Sequence, residues 1–190
     1  MTDERSEIQQ VLAGDRRALK KFVEKYQKLV SHIVFRMIPN DHDRQDICQN
    51  VFLKVHQNLA SFRHESKLST WIGRVAYNQC LNFLEKKKLP LFEDIAGEDS
   101  NVDMVMGDVR TPEETAEASD VSGRLRREIE TLPPRYRTIL TLYHLDELTY
   151  NEIADITKMP VGTVKNYLFR ARRQLKDRLL AKYGPEEPWQ

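Results

Sequence analysis

The 190-residue sequence has no long hydrophobic run, only two cysteines and only seven glycines. Without about 18 consecutive apolar residues, no transmembrane helix is expected. The acidic, polar beginning, MTDERSEIQQ, lacks the basic and apolar regions of a signal peptide. Sparse glycine and proline leave room for long helices. These absences predict an all-α protein in the cytoplasm.

The residue types that would support metal or enzyme chemistry are scattered. Cys48 and Cys80 form no C-x-x-C motif, and no Cys/His pair has zinc-finger spacing. There is no glycine-rich phosphate loop and no nucleophile arrangement. We therefore expect two free thiols, no cofactor, no small-molecule substrate and no enzymatic active site.

The net charge of +1 conceals a strong division along the chain. Residues 1–92 carry a net +6, residues 93–120 carry −9, residues 121–157 carry −1 and residues 158–183 carry +7. Two basic regions thus flank an acidic one, a pattern that is more informative than the total charge.

Apolar spacing predicts two groups of helices. The first group covers about 3–13, 15–38, 43–60 and 70–88, and the second begins near 120. The stretch 89–119 lacks helical periodicity and is rich in acidic residues. We predict two small helical domains joined by a flexible acidic linker.

The second group contains the outline of a helix-turn-helix. Thr149 and Glu152 fit a capping box that starts a short helix. About three residues after that helix, Pro160 suits the first turn of a longer one. A small residue, Ala154, allows the two helices to approach closely.

The second helix of this motif presents side chains that suit a major groove. Arginine and lysine can bond guanine, asparagine can bond adenine, and an aromatic ring can meet a thymine methyl. A solvated basic amphipathic helix is the simpler interpretation, but the capping box, turn length, small residue and proline together favour DNA binding. The candidate readers are Lys165, Asn166, Phe169, Arg170 and Arg173.

The stretch 60–84 interleaves aromatic residues with Arg, Lys, Ser, Thr and Asn. Polar loops beside aromatic rings can hold unstacked bases. Trp71 and Phe83 can equally be core residues, and the residue pattern alone leaves both interpretations open.

Two stretches, DICQNVFLKVHQNLASFR…STWIGRVAYNQCLNFL and ETLPPRYRTILTLYHLDELTYNEIADITKMPVGTVKNYLFRARRQL, resemble bacterial sigma factors of the extracytoplasmic-function (ECF) type. The resemblance covers nearly the whole chain except the linker and the last residues. It implies a sigma-2 domain at 8–88, the linker at 89–119 and a sigma-4 helix-turn-helix domain at 120–183.

The resemblance also implies partners and site residues. The protein would bind core RNA polymerase and promoter DNA, and an anti-sigma factor, often membrane-bound in this family, would hold it inactive. The −35 readers would be those named above. Residues at the −10 element would be Arg63, Ser69, Thr70, Trp71 and Asn78. Polymerase contacts would be Asp46, Gln49 and Asn50, although the family usually has an acid at the position of Asn50.

Alternatives from other classes remain at this stage. A stand-alone helix-turn-helix regulator would bind duplex DNA as a dimer, but no clean heptad seam is visible. A sigma-like decoy would bind polymerase without reading DNA. A recombinase would need a catalytic constellation, and Asp41, Asp43 and Asp46 are better explained as acids at a helix N-terminus.

Overall fold

The structure, a computed structural model, describes the backbone of residues 2–87 and 118–184 and the side chains of residues 4–87 and 123–184. Within these ranges it contains α-helices and one 3₁₀ turn, Leu59–Ser61, and no strand, which confirms the all-α prediction. The helices are α1 (Thr2–Leu12), α2 (Arg16–Met37), α3 (Asp41–Asn58), α4 (Leu68–Lys86), α5 (Ala118–Glu130), α6 (Pro134–His144), α7 (Tyr150–Thr157) and α8 (Val161–Tyr183).

Almost all of the predicted linker, 89–119, lies outside the described residues, and its last two residues begin α5. Helices α1–α4 precede it and form what we call the N-terminal unit. Helices α5–α8 follow it and form the C-terminal unit. None of the helices in the described ranges is long and apolar enough to cross a bilayer.

Side-chain caps fix where α2 and α3 begin. Asp15 Oδ1 accepts hydrogen bonds from the backbone N–H groups of Arg17 at 2.8 Å and Ala18 at 3.3 Å. Asn40 Oδ1 accepts from His42 N at 2.9 Å and Asp43 N at 3.3 Å. Helix α3 therefore begins at 41, two residues before the predicted start, because Asn40 satisfies the first free N–H groups.

Helix α4 also begins earlier than predicted, at Leu68 instead of 70. Leu68 is fully buried, so its insertion into the core brings the chain into helical geometry before the polar stretch is complete. Ser69 and Thr70 consequently lie in the first turn of α4. The loop before α4 ends at Lys67.

Both units share one continuous apolar core. In the N-terminal unit the core is built around α2, with Phe22, Val30 and Ile33 almost or completely buried. In the C-terminal unit Ile139 and Val164 are equally buried. The units also contact each other directly, α2 against α6 and α4 against α7. This face-to-face packing was not part of the prediction of two linked domains.

Polar groups reinforce the contact between α2 and α6. His32 Nδ1 lies 2.8 Å from Asp146 Oδ1, in the turn after α6. Arg137 donates to the carbonyl oxygen of Arg36 and, at 2.7 Å, to that of Glu130. Burial, together with the charges of Arg36 and Arg44, lowers the pKa of Arg137 to about 10, so its guanidinium remains charged at neutral pH.

Candidate nucleic-acid interface

The helix-turn-helix begins with the predicted capping box. Thr149 N donates to Glu152 Oε2 at 2.9 Å, and Glu152 N donates to Thr149 Oγ1 at 3.3 Å. Partial burial would raise the pKa of Glu152, but hydrogen bonds from Lys67 and Thr149 outweigh it and lower that pKa below its ordinary value. The carboxylate is therefore ionised at neutral pH and holds the start of α7.

The turn between α7 and α8 is set by two residues. Lys158 adopts the left-handed conformation at φ 57°, which ends α7 without a glycine. Pro160 lies immediately before Val161 as the N-cap of α8, one position outside the predicted first helical turn. Ile153 of α7 and Val164 of α8 are fully buried, which fixes the second helix against the first.

The predicted −35 readers share one exposed face of α8. Their spacing, i, i+1, i+4, i+5 and i+8, keeps them on the same side of a helix. Phe169 is 66% exposed, which is unusual for a large aromatic side chain and leaves its ring available for contact. The exposed residues of this face are Lys165, Asn166, Phe169, Arg170 and Arg173.

A line of aromatic and cationic side chains connects this face to α6, and the sequence prediction missed it. Tyr143 and Tyr150 stack with ring centroids 5.1 Å apart and an interplanar angle of 19°. Lys165 Nζ lies 5.5 Å from the Tyr150 centroid, and the Arg172 guanidinium lies 5.2 Å from that of Tyr143. These rings restrain two cations that would otherwise be freely mobile.

His144 ends this line. Arg172 Nε donates to His144 Nε2 at 3.2 Å. Burial and the charge of Arg172 lower the pKa of His144, so the imidazole is neutral at pH 7 and able to accept this bond. The guanidinium of Arg172 is thus oriented by Tyr143 and His144 together.

The predicted −10 residues do not form a single cluster. Arg63 is exposed on the loop before α4, while Ser69, Trp71 and Asn78 are half-buried. Trp71 and Asn78 are seven residues apart, which puts them on one side of α4 about 10 Å apart along the axis. Thr70 is only 1% exposed, and its Oγ1 has no hydrogen-bond partner.

Trp71 belongs to a small aromatic group. Its ring lies 5.5 Å from that of Phe62, whose ring in turn lies 4.6 Å from that of His64. His64 adopts φ 57°, which turns the loop back toward α4. Half-buried and backed by Phe62, Trp71 can be both a packing residue and a surface on which a base stacks.

The predicted polymerase contacts lie on an exposed face of α3. Asp46, Gln49 and Asn50 are all exposed, and Leu53, one turn further, is 59% exposed. Sequence reasoning did not single out Leu53, although its i+3 and i+4 spacing from Asn50 and Gln49 places it on the same face. An exposed leucine among polar residues gives this face an apolar centre.

Metal binding and thiol chemistry find little support in the described residues. No group of three or more His, Cys, Asp or Glu in these ranges could hold a metal ion. Burial raises the pKa of both thiols, Cys48 and Cys80, so neither is a thiolate at neutral pH.

Comparison with known families assigns both units. The family model described as Sigma-70 region 2 matches residues 22–89, and that described as Sigma-70, region 4 matches residues 122–175. Solved structures with the same fold include CnrH in complex with the cytosolic domain of CnrY, with a TM-score of 0.64 at 17% identity over 94% of this chain and 97% of that one. Another is the sigma factor RpoE in complex with the anti-sigma factor NepR from Bartonella quintana, with a TM-score of 0.66 at 18% identity over 86% and 97%.

Proteins similar in sequence identify the type of sigma factor. The ECF RNA polymerase sigma factor SigW of Bacillus subtilis is 34% identical over 90% of this chain and 94% of its own length. The ECF RNA polymerase sigma-E factor of Escherichia coli is 34% identical over 90% and 92%. The chain therefore belongs to the extracytoplasmic-function sigma factors of RNA polymerase. As such it directs promoter-specific initiation of transcription, and the regulator and decoy alternatives are not favoured.

Proposed function

We propose that this sigma factor reads the −35 duplex with the exposed face of α8 and the unpaired −10 strand with α4 and the loop before it. The observation that carries the proposal is the uninterrupted exposure of the α8 readers on a helix whose other side is buried against α5, α6 and α7. Such a helix can enter a major groove without any change in its own unit.

This proposal assigns a different role to each unit. Residues 8–88 act as the sigma-2 domain, residues 120–183 as the sigma-4 domain, and 89–119 as an acidic connection between them. The −9 charge of residues 93–120 repels DNA and suits a basic wall of the polymerase.

At the −10 element, Arg63, Ser69, Thr70, Trp71 and Asn78 bind the non-template strand. Stacking on Trp71 offsets part of the cost of unpairing a base, which is a few kcal/mol. Melting on this basis is a binding process, so the chain itself needs no catalytic residue.

Docking to core RNA polymerase uses the exposed face of α3. Asp46 supplies charge, Gln49 and Asn50 supply hydrogen bonds, and Leu53 supplies apolar area. We also propose an anti-sigma factor as a partner, because the solved structure of RpoE contains the anti-sigma factor NepR and that of CnrH contains the cytosolic domain of CnrY.

Transcription with purified core polymerase on fragments of the source genome tests the proposal. Discrete start sites that require this protein, together with weak DNA binding by the protein alone, are expected. Tight duplex binding without polymerase and without new starts would contradict the proposal and favour a stand-alone regulator. Polymerase binding without any start would favour a decoy.

A further inference from the structure

We propose that a basic ridge on α2 binds the phosphates of promoter DNA beside the −10 element. The ridge consists of six exposed cations on the solvent-facing half of the helix, over about three turns: Arg16, Arg17, Lys20, Lys21, Lys25 and Lys28. None of them belongs to the three surfaces assigned above. This inference rests on the proposed function, since that function places the −10 strand on α4 and the loop before it.

The ridge carries more positive charge than its surroundings neutralise. Residues 15–28 contain six Lys and Arg but only two acids, Asp15 and Glu24. Among the described residues, Glu24 is the only carboxylate within ion-pair distance of the first four cations, and it lies 3.8 Å from Lys20 Nζ. The side chains of this pair are 78% and 54% exposed, so the pair contributes little. Most of the charge is therefore available to an anion from another molecule.

This charge lowers the local stability of α2. The first turn of α2 contains no acid, although the helix dipole favours acids there and disfavours cations. Arg16 with Lys20, and Arg17 with Lys21, are like-charge pairs at i, i+4, and such pairs destabilise a helix. Asp15 already caps the first free N–H groups, so the cations are not needed to start the helix. A role outside the helix explains their presence, and bound phosphates would remove the repulsion between them.

The ridge lies across α1 from the loop before α4. Lys25 Nζ is 2.7 Å from Glu7 Oε2, and Glu4 Oε1, one turn earlier on α1, is 3.9 Å from His64 Nδ1. Since an α-helix is about 10 Å across, Lys25 and His64 are roughly one helix diameter apart. DNA that leaves the −10 site at Arg63 needs about three nucleotides, at about 3.4 Å each, to reach the ridge. The ridge then continues for about 18 Å, the length of about five nucleotides.

The composition of the ridge suits phosphates and not bases or lipid. Between 16 and 28, the exposed residues of α2 include no aromatic and no large apolar side chain. Without a ring the ridge cannot stack bases, and without an apolar face it is unsuited to a membrane surface. A line of cations neutralises successive phosphates whatever their bases are. The ridge therefore adds affinity for DNA next to the −10 element, and the specificity comes from the other surfaces.

Binding of labelled oligodeoxythymidylate to the full chain at a series of salt concentrations tests the ridge without a promoter. The neutral variant carries Arg16→Gln, Arg17→Gln and Lys21→Gln, three cations that have no acid partner among the described residues. Its slope of log affinity against log salt should be smaller by about 2, because each phosphate contact on a single strand contributes about 0.7. A slope equal to that of the unaltered protein would overturn the proposal.

A charge-retaining variant is the matched control. Arg16→Lys, Arg17→Lys and Lys21→Arg change the same three side chains but keep their charges, so the slope should stay as in the unaltered protein. A reduced slope in this variant too would exclude a charge effect and overturn the proposal. The neutral variant should unfold at an equal or higher urea concentration than the unaltered protein, because it lacks the like-charge pairs. If it unfolds earlier, Lys21→Gln alone replaces it, with an expected decrease in slope of about 0.7.

Holoenzyme on a mapped promoter locates the DNA that the ridge binds. The neutral variant should weaken the promoter complex several-fold, and the effect should disappear on fragments that end at the −10 element on the side where the ridge binds. Fragments shortened upstream and fragments shortened downstream distinguish the two sides. An equal loss on all fragments, or weaker binding to core polymerase in competition, would assign the ridge to a polymerase surface and overturn the proposal.

Failure of the ridge can be distinguished from failure of the proposed function. If Trp71→Ala impairs promoter opening while the neutral variant behaves like the unaltered protein, only the ridge is wrong. If the neutral variant lowers the slope on oligodeoxythymidylate while Trp71→Ala opens promoters normally, the ridge binds DNA and the assignment of the −10 strand to α4 is wrong.

Discussion

The two proposed DNA-reading surfaces differ in how completely each is formed within its own unit. All five candidate readers of α8 are exposed, whereas the candidates on α4 and its loop range from the exposed Arg63 to the buried Thr70. A surface for rigid duplex can be complete beforehand, because the groove already has its shape. A flipped base has no fixed position before melting, so a surface for it need not be complete in advance, and here Trp71 is half-buried and Thr70 is buried.

The largest effect is expected at the exposed surface. The double substitution Lys165→Ala, Arg170→Ala removes two candidate base contacts, each worth about 1–3 kcal/mol of discrimination. Promoter-specific run-off transcription should fall by roughly 30-fold or more, since losses at separate contacts add. Binding to core polymerase should be unchanged in a competition assay.

A matched control for that experiment is Lys176→Ala, which removes one exposed cation three turns beyond Lys165 on α8. It should weaken binding to all DNA sequences to the same extent, and by less than the double substitution weakens binding to the promoter. If promoter selection by the double variant equals that of Lys176→Ala, α8 does not read bases at these positions.

A smaller, step-specific effect is expected at the partly covered surface. Trp71→Ala should slow promoter opening by roughly 5- to 150-fold, since stacking on an aromatic ring is worth about 1–3 kcal/mol per base. Formation of the closed complex should change little. Permanganate reactivity of −10 thymines measures the opening directly.

The effect of Trp71→Ala on folding must be distinguished from its effect on base stacking, because Trp71 also packs on Phe62. Trp71→Phe keeps a stacking ring and should retain most of the opening activity. Normal permanganate reactivity in a folded Trp71→Ala protein would remove Trp71 from the −10 site.

The contact between the units gives a prediction for stability. Arg137→Leu leaves the carbonyl oxygens of Arg36 and Glu130 without their donor, so the free energy of unfolding should fall by about 1–3 kcal/mol. Urea unfolding measures this loss. Arg173→Leu at an exposed site should change stability by less than about 0.5 kcal/mol, and an equal effect of both substitutions would exclude a stabilising role for Arg137.

The smallest effect is expected on α3. Asn50→Asp introduces the acid that the family usually has there, and it should tighten binding to core polymerase by at most about fivefold, as for an exposed ion pair worth up to about 1 kcal/mol. Competition for core polymerase measures the change. Gln27→Glu on α2 adds the same charge at another exposed position and should have no effect; tighter binding by both variants would indicate general electrostatics.

Local signals made the C-terminal unit predictable. The capping box of Thr149 and Glu152 depends only on residues three positions apart, and the structure contains both of its hydrogen bonds. The exposed face of α8 follows from spacing alone. The features of this unit that could be predicted therefore depend on contacts between residues that are close together in the sequence.

Contacts distant in sequence limited the prediction elsewhere. The helix predicted to begin at 70 begins at Leu68, a residue that is buried in the core. A glycine at 73 has no pattern that indicates Ile156, 83 positions later, as its neighbour. The stacking of Tyr143 on Tyr150 likewise depends on the turn between α6 and α7, where Glu147 adopts φ 52°.

The carboxylate of Glu152 has two partners with unrelated purposes. One oxygen caps α7 for the helix-turn-helix, and the other meets Lys67 of the N-terminal unit. Position 152 is therefore pleiotropic: a substitution selected for altered promoter preference would change the association of the units in the same step. The side chain of Lys67 takes part only in the second of these contacts, so a substitution at 67 should change the association of the units and leave the start of α7 intact.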